Sequence, residues 1–136
     1  MSFEDLPPNW TELPLSTPNL AGDVVDLVLS EWLRAANAML LLPCNDQDIP
    51  LPSPVVLEDT DWFVEEAERQ HMMQALAGVG VPSAVLAVSS AQRLPAEVVA
   101  GWHRDAQAAF TAAESRLLGF YSAWPNHVNQ ASLPVH

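Results

Sequence analysis

The chain has no lysine and only five basic residues, all arginine, against 17 acids in 136 residues. The resulting net charge of −12 repels phosphate backbones and argues against direct nucleic-acid binding. A single cysteine, Cys44, excludes an internal disulfide and fits a reducing, cytoplasmic compartment. No apolar run approaches the roughly 18 residues of a membrane span. The start, MSFEDLPPNW, has acid and proline where a signal peptide carries a basic region and an apolar core. The segment from Ser89 to Pro95, SSAQRLP, joins an expected strand to an expected helix and holds no Cys, His, Asp, Glu or Lys. Such loops commonly carry the chemistry of α/β enzymes, so this absence points away from catalysis and from a bound cofactor.

What is present is enough for one globular domain. Apolar residues make up 49% of the chain, and a chain of this size buries roughly two thirds of its unfolded surface. Residues 1–17 are punctuated by Pro7, Pro8 and Pro14 yet carry Phe3, Leu6, Trp10, Leu13 and Leu15. They read as an extended arm lying across the domain or across a neighbouring subunit. The domain proper is expected over 18–124, and 125–136 read as a turn and a tail.

Within 18–124 the periodicity gives an order of α-β-β-α-β-α-β. A first helix runs from Thr17 as cap, with Pro18 following, to about Ala36. Its inner face would hold Val24, Val25, Val28, Trp32 and Ala35, with Asp23, Asp26 and Arg34 outside. Ala38–Pro43 reads as a buried strand. The return through Ile49–Pro54 contains three prolines and is confined to an edge or loop before Val55–Glu58 resumes as strand. A helix over Asp61–Ala77, capped by Asp59 or Asp61 and stopped at Gly78 and Gly80, shows apolar residues on two sides. Phe63, Val64, Ala67, His71 and Ala75 form one stripe; Trp62, Met73, Leu76 and Ala77 form the other. Ser83–Val88 is a strand, Ala96–Ala113 a helix with Val99, Trp102, Ala106 and Phe110 inward, and Arg116–Trp124 an aromatic strand. The expected fold class is therefore α/β: three layers, a mixed four-stranded sheet with helices on both faces.

Few side chains are candidates for chemistry. Glu58, Asp59 and Asp61 are the best acidic cluster and are candidate ligands of a hard cation such as magnesium, although helix capping accounts for two of them. The DxD spacing matches the first motif of haloacid-dehalogenase phosphatases, but those enzymes also use a lysine. None of His71, His103, His127 and His136 is spaced as a metal pair. Cys44 sits in an expected turn beside acids, which disfavours a thiolate. Ser89-Ser90 lack the GxSxG elbow of hydrolases. Tryptophan is frequent at interfaces. Trp32 and Trp102 are assigned to the core; Trp10 and Trp62 are interface candidates with core burial the equal alternative, and Met73 and Leu76 are interface candidates on the second apolar side of their helix.

The element order over 18–124 resembles that of JAB/MPN metallopeptidase-like domains and, more loosely, the cytidine-deaminase-like layout. The resemblance implies an HxH zinc pair after the strand Ala84–Val88 and an SxxD pattern beyond it. This chain has Ser89-Ser90-Ala91 and Leu94-Pro95-Ala96-Glu97 there, with only Glu97 chemically similar. LPPNWTELPLSTPNLAGDVVDLVLSEW and RLLGFYSAW also resemble an uncharacterised actinobacterial family, which implies no activity. These readings lead to a non-catalytic interaction or scaffold domain, homodimeric or bound to another protein. A small metal-dependent hydrolase using Glu58, Asp59 and Asp61, and an acidic inhibitor or immunity-type protein that blocks a basic partner, are the alternatives.

Overall fold

The computed structural model describes residues 6–131. Phe3 of the expected arm and His136 of the expected tail lie outside the described residues.

Two strands are buried along their whole length, β1 (Met39–Cys44) and β3 (Ser83–Ser89). Their continuous apolar runs are what a strand covered on both faces requires. They pair antiparallel, Leu41 opposite Leu86, at the centre of a five-stranded sheet ordered β2-β1-β3-β4-β5. β2 (Val55–Leu57) is the short edge beyond β1. β4 (Arg116–Trp124) lies parallel to β3, and β5 (His127–Gln130) pairs antiparallel with β4. The described chain is thus a three-layer α/β domain with a mixed sheet. Helices α1 (Leu20–Val28) and α2 (Glu31–Ala35) cover one face; α3 (Glu66–Ala77) and α4 (Ala96–Ala112) cover the other.

Strand alternation divides the core in two. Leu40, Leu42, Val85, Ala87, Tyr121 and Ala123 face α1 with Val24, Val25 and Leu29. Met39, Leu41, Leu86, Val88 and Phe120 face α3 and α4 with Met73, Trp102, Ala106 and Phe110. The alternation of β4 survives only because of a bulge: Ala84 pairs with Leu117 but Val85 pairs with Gly119. Gly119 has a local reason as well. A Cβ there would lie 2.9 Å from the Tyr121 ring, which folds back over it. The arm lies on its own domain, with Leu15 buried, Leu6, Trp10 and Leu13 packed on the α1 side, and the Leu15 N–H donating to Asp48 O at 2.7 Å.

Three expectations need correction. The sheet has five strands, not four, because residues after Trp124 turn back at Pro125-Asn126 to form β5. Asn126 takes a positive φ of 67°, and a proline followed by such an asparagine is the pattern of a type II turn. β5, HVNQ, is too polar and too short to carry a strand signal of its own.

The first helix is two. Leu29 leaves helical geometry, and Ser30 caps α2 by accepting from Leu33 N–H at 3.3 Å. The break restarts the helical phase, so Arg34 turns inward and Trp32 turns out. Arg34 is buried, donating to Leu29 O (2.8 Å), Asp26 Oδ1 (2.7 Å), Asp26 O (3.0 Å) and, more weakly, Trp124 O (3.4 Å). Trp32, expected in the core, is 69% exposed. Asp23, expected in solvent, is buried.

The third helix begins at Glu66, not Asp61. Residues 58–65 instead form an irregular segment, and the inner face of α3 is Met73 and Ala77, with Met72 and Leu76 partly buried. Ala67, His71 and Ala75, expected to be inward, are exposed.

Candidate functional site

The strand register defines one end of the sheet. Met39 at the start of β1 is opposite Leu57 and Val88, and Val88 is opposite Ser122. The start of β1 and the ends of β2, β3 and β4 therefore share one rim. Three segments cover it: α2, the segment 58–65, and the turn between β4 and β5.

The segment 58–65 is held by backbone. Asp59 N–H donates to Ala36 O at 2.8 Å and Thr60 N–H to Asn37 O at 3.0 Å. Asp59 adopts φ 56°, a left-handed conformation that aspartate tolerates. Asp61 Oδ1 accepts from Phe63 N–H at 2.9 Å, closing an Asx turn. Trp62 is driven inward between the sheet end and α4. Its Nε1–H donates to Ser89 O at 2.9 Å, its carbonyl accepts from Trp102 Nε1 at 3.0 Å, and the two indoles meet edge to face at 5.3 Å. Ser89 is a clamp rather than a nucleophile: its hydroxyl donates to Ala38 O (2.8 Å) and accepts from Ala38 N–H (3.1 Å). Ser90 N–H donates to Ala123 O.

Burying Trp62 forces its neighbour Phe63 outward, where it is 70% exposed. The same rim carries Trp32 on α2, and Glu31 of that helix accepts from Asn126 N–H at 3.2 Å. Around these aromatics stand the exposed acids Glu31, Glu58, Asp59, Asp61 and Glu65 and the exposed edge residue Leu57. Large aromatics left in water beside one sign of charge are the unusual feature of this surface.

The acids Glu58, Asp59 and Asp61 lie on this rim, whereas the expected interface residues lie apart from it. Glu58, Asp59 and Asp61 are near one another in the chain, but among the described residues no group of three His, Cys, Asp or Glu side chains is arranged to hold a metal ion. Asp61 spends a carboxylate oxygen on its own turn, and none of the three caps α3. Of the expected interface residues, Trp62 and Met73 are 3% and 0% exposed and offer no surface to a partner. Leu76 is half-buried against α4 and Trp10 half-buried against the α1 side. Of the two apolar stripes of this segment, the one holding Trp62, Met73, Leu76 and Ala77 is the one that packs on the core. Phe63 belongs to the other stripe and Trp32 was expected in the core, and no local signal distinguishes an outward aromatic from an inward one.

The remaining titratable groups are structural. Burial, with Asp48 nearby, pushes the Cys44 thiol up to about 11, so it is not a nucleophile near neutral pH. Burial alone would raise the Asp48 carboxyl, but hydrogen bonds from Ser83 and Arg116 outweigh it and hold the group below its ordinary value. Arg116 reaches both Asp48 oxygens, at 2.6 and 3.2 Å, and Ser83 Oγ donates at 2.8 Å. Burial pushes His103 down; its ring stacks on Phe120 at 4.8 Å, and its Nδ1 has no hydrogen-bond partner among the described residues. Burial, then the Asp23 charge, raises the Tyr121 hydroxyl.

The fold and this rim define a three-layer α/β domain whose distinguishing surface is acidic and aromatic. No family model, curated protein or solved structure matches the chain. Among the described residues no helix is long and apolar enough to cross a membrane.

Proposed function

We propose that this is a non-catalytic protein-interaction domain that captures a basic, partly apolar segment of another protein on the rim of its sheet. The observation that carries the reading is Trp32 and Phe63, about 70% exposed at one end of the fold among five exposed acids. Aromatic side chains supply binding area at low entropic cost, and the acids select positive charge and steer its approach. The net charge of −12 acts in the same direction and opposes self-association through this surface. Of the four residues expected to carry a homodimer, Trp10, Trp62, Met73 and Leu76, two are buried in the core, so a basic partner is the favoured occupant. Of the two alternatives, the metal-dependent hydrolase finds no group of three metal-ligating side chains among the described residues, whereas the inhibitor of a basic partner is a special case of the present reading. The layout likeness to JAB/MPN-like domains supports a scaffold role, since Ser89-Ser90 bind backbone where that family carries zinc ligands. A lone buried thiol supports a cytoplasmic setting.

The test uses the emission of Trp32 during titration with an amphipathic Lys/Leu peptide, with a Glu/Leu peptide as control. A saturable blue shift with the basic peptide alone is expected. Trp32→Tyr with Phe63→Ala should weaken binding at least about tenfold, the size expected for loss of central anchors, read by calorimetry. Glu58→Gln/Asp59→Asn/Asp61→Asn should weaken it more than the equal charge change Glu12→Gln/Asp46→Asn/Glu114→Gln, and raising salt from about 50 to 500 mM should suppress it. Equal loss in the two triple variants, or no effect of the aromatic pair, would refute the rim. A dimer in light scattering that Trp32→Ala dissociates would replace the basic partner with a second copy.

A further inference from the structure

We infer that a cleft between the first turn of α4 and strands β4 and β5 binds a small monocarboxylate carrying a short apolar group. The cleft has a volume of about 180 Å³ and is lined by Arg93, Ala96, Val99, Ser122, Asn129 and Gln130. It lies at the carboxyl ends of the parallel pair β3 and β4, where open α/β sheets hold ligands.

Three of the lining residues, Arg93, Ala96 and Ser122, offer donors there. α4 is 17 residues long, and Pro95 before it provides no side-chain cap. The N–H groups of Val98 and Val99 both turn back to Pro95 O, whereas those of Ala96 and Glu97 have no partner among the described residues. Ser122 is a second and independent observation. It is 5% exposed, strand alternation sends it to the α4 side with Phe120, and its hydroxyl makes no hydrogen bond to a described residue. Arg93 adds the charge. Its guanidinium carbon sits 5.1 Å from the centroid of the Trp124 ring, and it forms no ion pair among the described residues, whereas Arg34, Arg69 and Arg116 each do. Stacking fixes the guanidinium plane and leaves its N–H edge free for the two oxygens of a carboxylate.

The other walls set the rest of the ligand. Val99, Leu94 and Trp124 offer apolar contact, and Asn129 and Gln130 complete the polar side. A single guanidinium in a chain of net charge −12 suits one negative charge better than a phosphate dianion. The lining has no nucleophile and no general base, so the site binds and does not turn its ligand over.

The experiment is an amide and arginine-side-chain NMR titration of the full chain with isobutyrate, with isobutyramide and inorganic phosphate as comparison ligands. Expected are saturable shifts at Arg93, Ala96, Glu97 and Ser122 with isobutyrate alone. Arg93→Gln, at an exposed position, should weaken the dissociation constant about tenfold or more, and Ser122→Ala by about three- to tenfold. Arg93→Lys should fall between Arg93→Gln and the parent. Equal shifts with isobutyramide, tighter binding of phosphate, no saturation by about 50 mM, or an unchanged affinity in Arg93→Gln with its folded spectrum intact would each overturn the assignment.

Discussion

Trp62 and Phe63 are adjacent aromatics with opposite fates, and the difference is one hydrogen bond. The Trp62 indole reaches Ser89 O at the end of β3, a carbonyl that would otherwise be buried without that donor. Trp62→Phe should cost about 1–3 kcal/mol, the range for an unpaired buried acceptor, measured as a lower urea midpoint at unchanged slope. Phe63→Ala should leave stability within about 0.5 kcal/mol. His103 sets a second prediction at this scale. Burial holds its folded pKa below the ordinary 6.5, so the native state binds fewer protons than the unfolded chain. Its contribution to stability is complete above pH 6.5 and is lost as pH falls toward the folded value. His103→Phe keeps an aromatic on Phe120 and should remove that part of the stability change between about pH 7.5 and 5.5, read by parallel denaturant curves.

At the scale of elements, the helix break at Leu29-Ser30 decides which residues of α2 are core. Arg34→Ala removes a buried cation from Asp26 and from the Leu29 carbonyl and should destabilise by about 3–5 kcal/mol, whereas Trp32→Ala should be nearly neutral. Helical periodicity read straight through from Leu20 predicts the reverse, so the pair of variants tests the break itself. α3 and α4 are joined by an ion pair between Arg69 and Asp105, with Gly101 leaving room for the guanidinium; a Cβ there would lie 2.8 Å from Arg69 Nη1. Most elements were legible: β1, β3, α4 and β4 were placed to within a residue or two because long apolar periods identify them. The start of α3, the split of α1 from α2, and β5 were not. Each depends on a contact that apolar periodicity does not encode: Trp62 with Ser89 O, Arg34 with Leu29 O and Asp26, and the polar strand β5 with β4 across a two-residue turn.

At the scale of the molecule, charge and topology act together. Asp48 ties the β1–β2 connection to β3 through Ser83 and to β4 through Arg116. Its folded pKa lies below 3.8, so its contribution is complete above that value and is lost as acid carries the pH through the folded value. Asp48→Asn should therefore narrow the difference in stability between neutral pH and about pH 3, followed by circular dichroism. The rim gathers Trp32, Phe63 and the exposed acids from α2, the segment after β2 and the cap of α3, so the proposed binding of basic peptide should require the folded molecule and be lost in urea. An isolated 58–65 peptide carries the acids but not Trp32 or the orientation of Phe63.

Composition and periodicity by themselves determined the α/β class, the two central strands and the strongly negative net charge. These follow from counts and from periods of 2 and 3.6, which the chain carries locally. Only the tertiary structure decided which tryptophans are inside, that Arg34 is buried while Trp32 is not, and that exposed aromatics and acids from separate segments share one end of the sheet. Those outcomes depend on where a carbonyl or a carboxylate from a distant part of the chain stands, and local periodicity carries no record of that position.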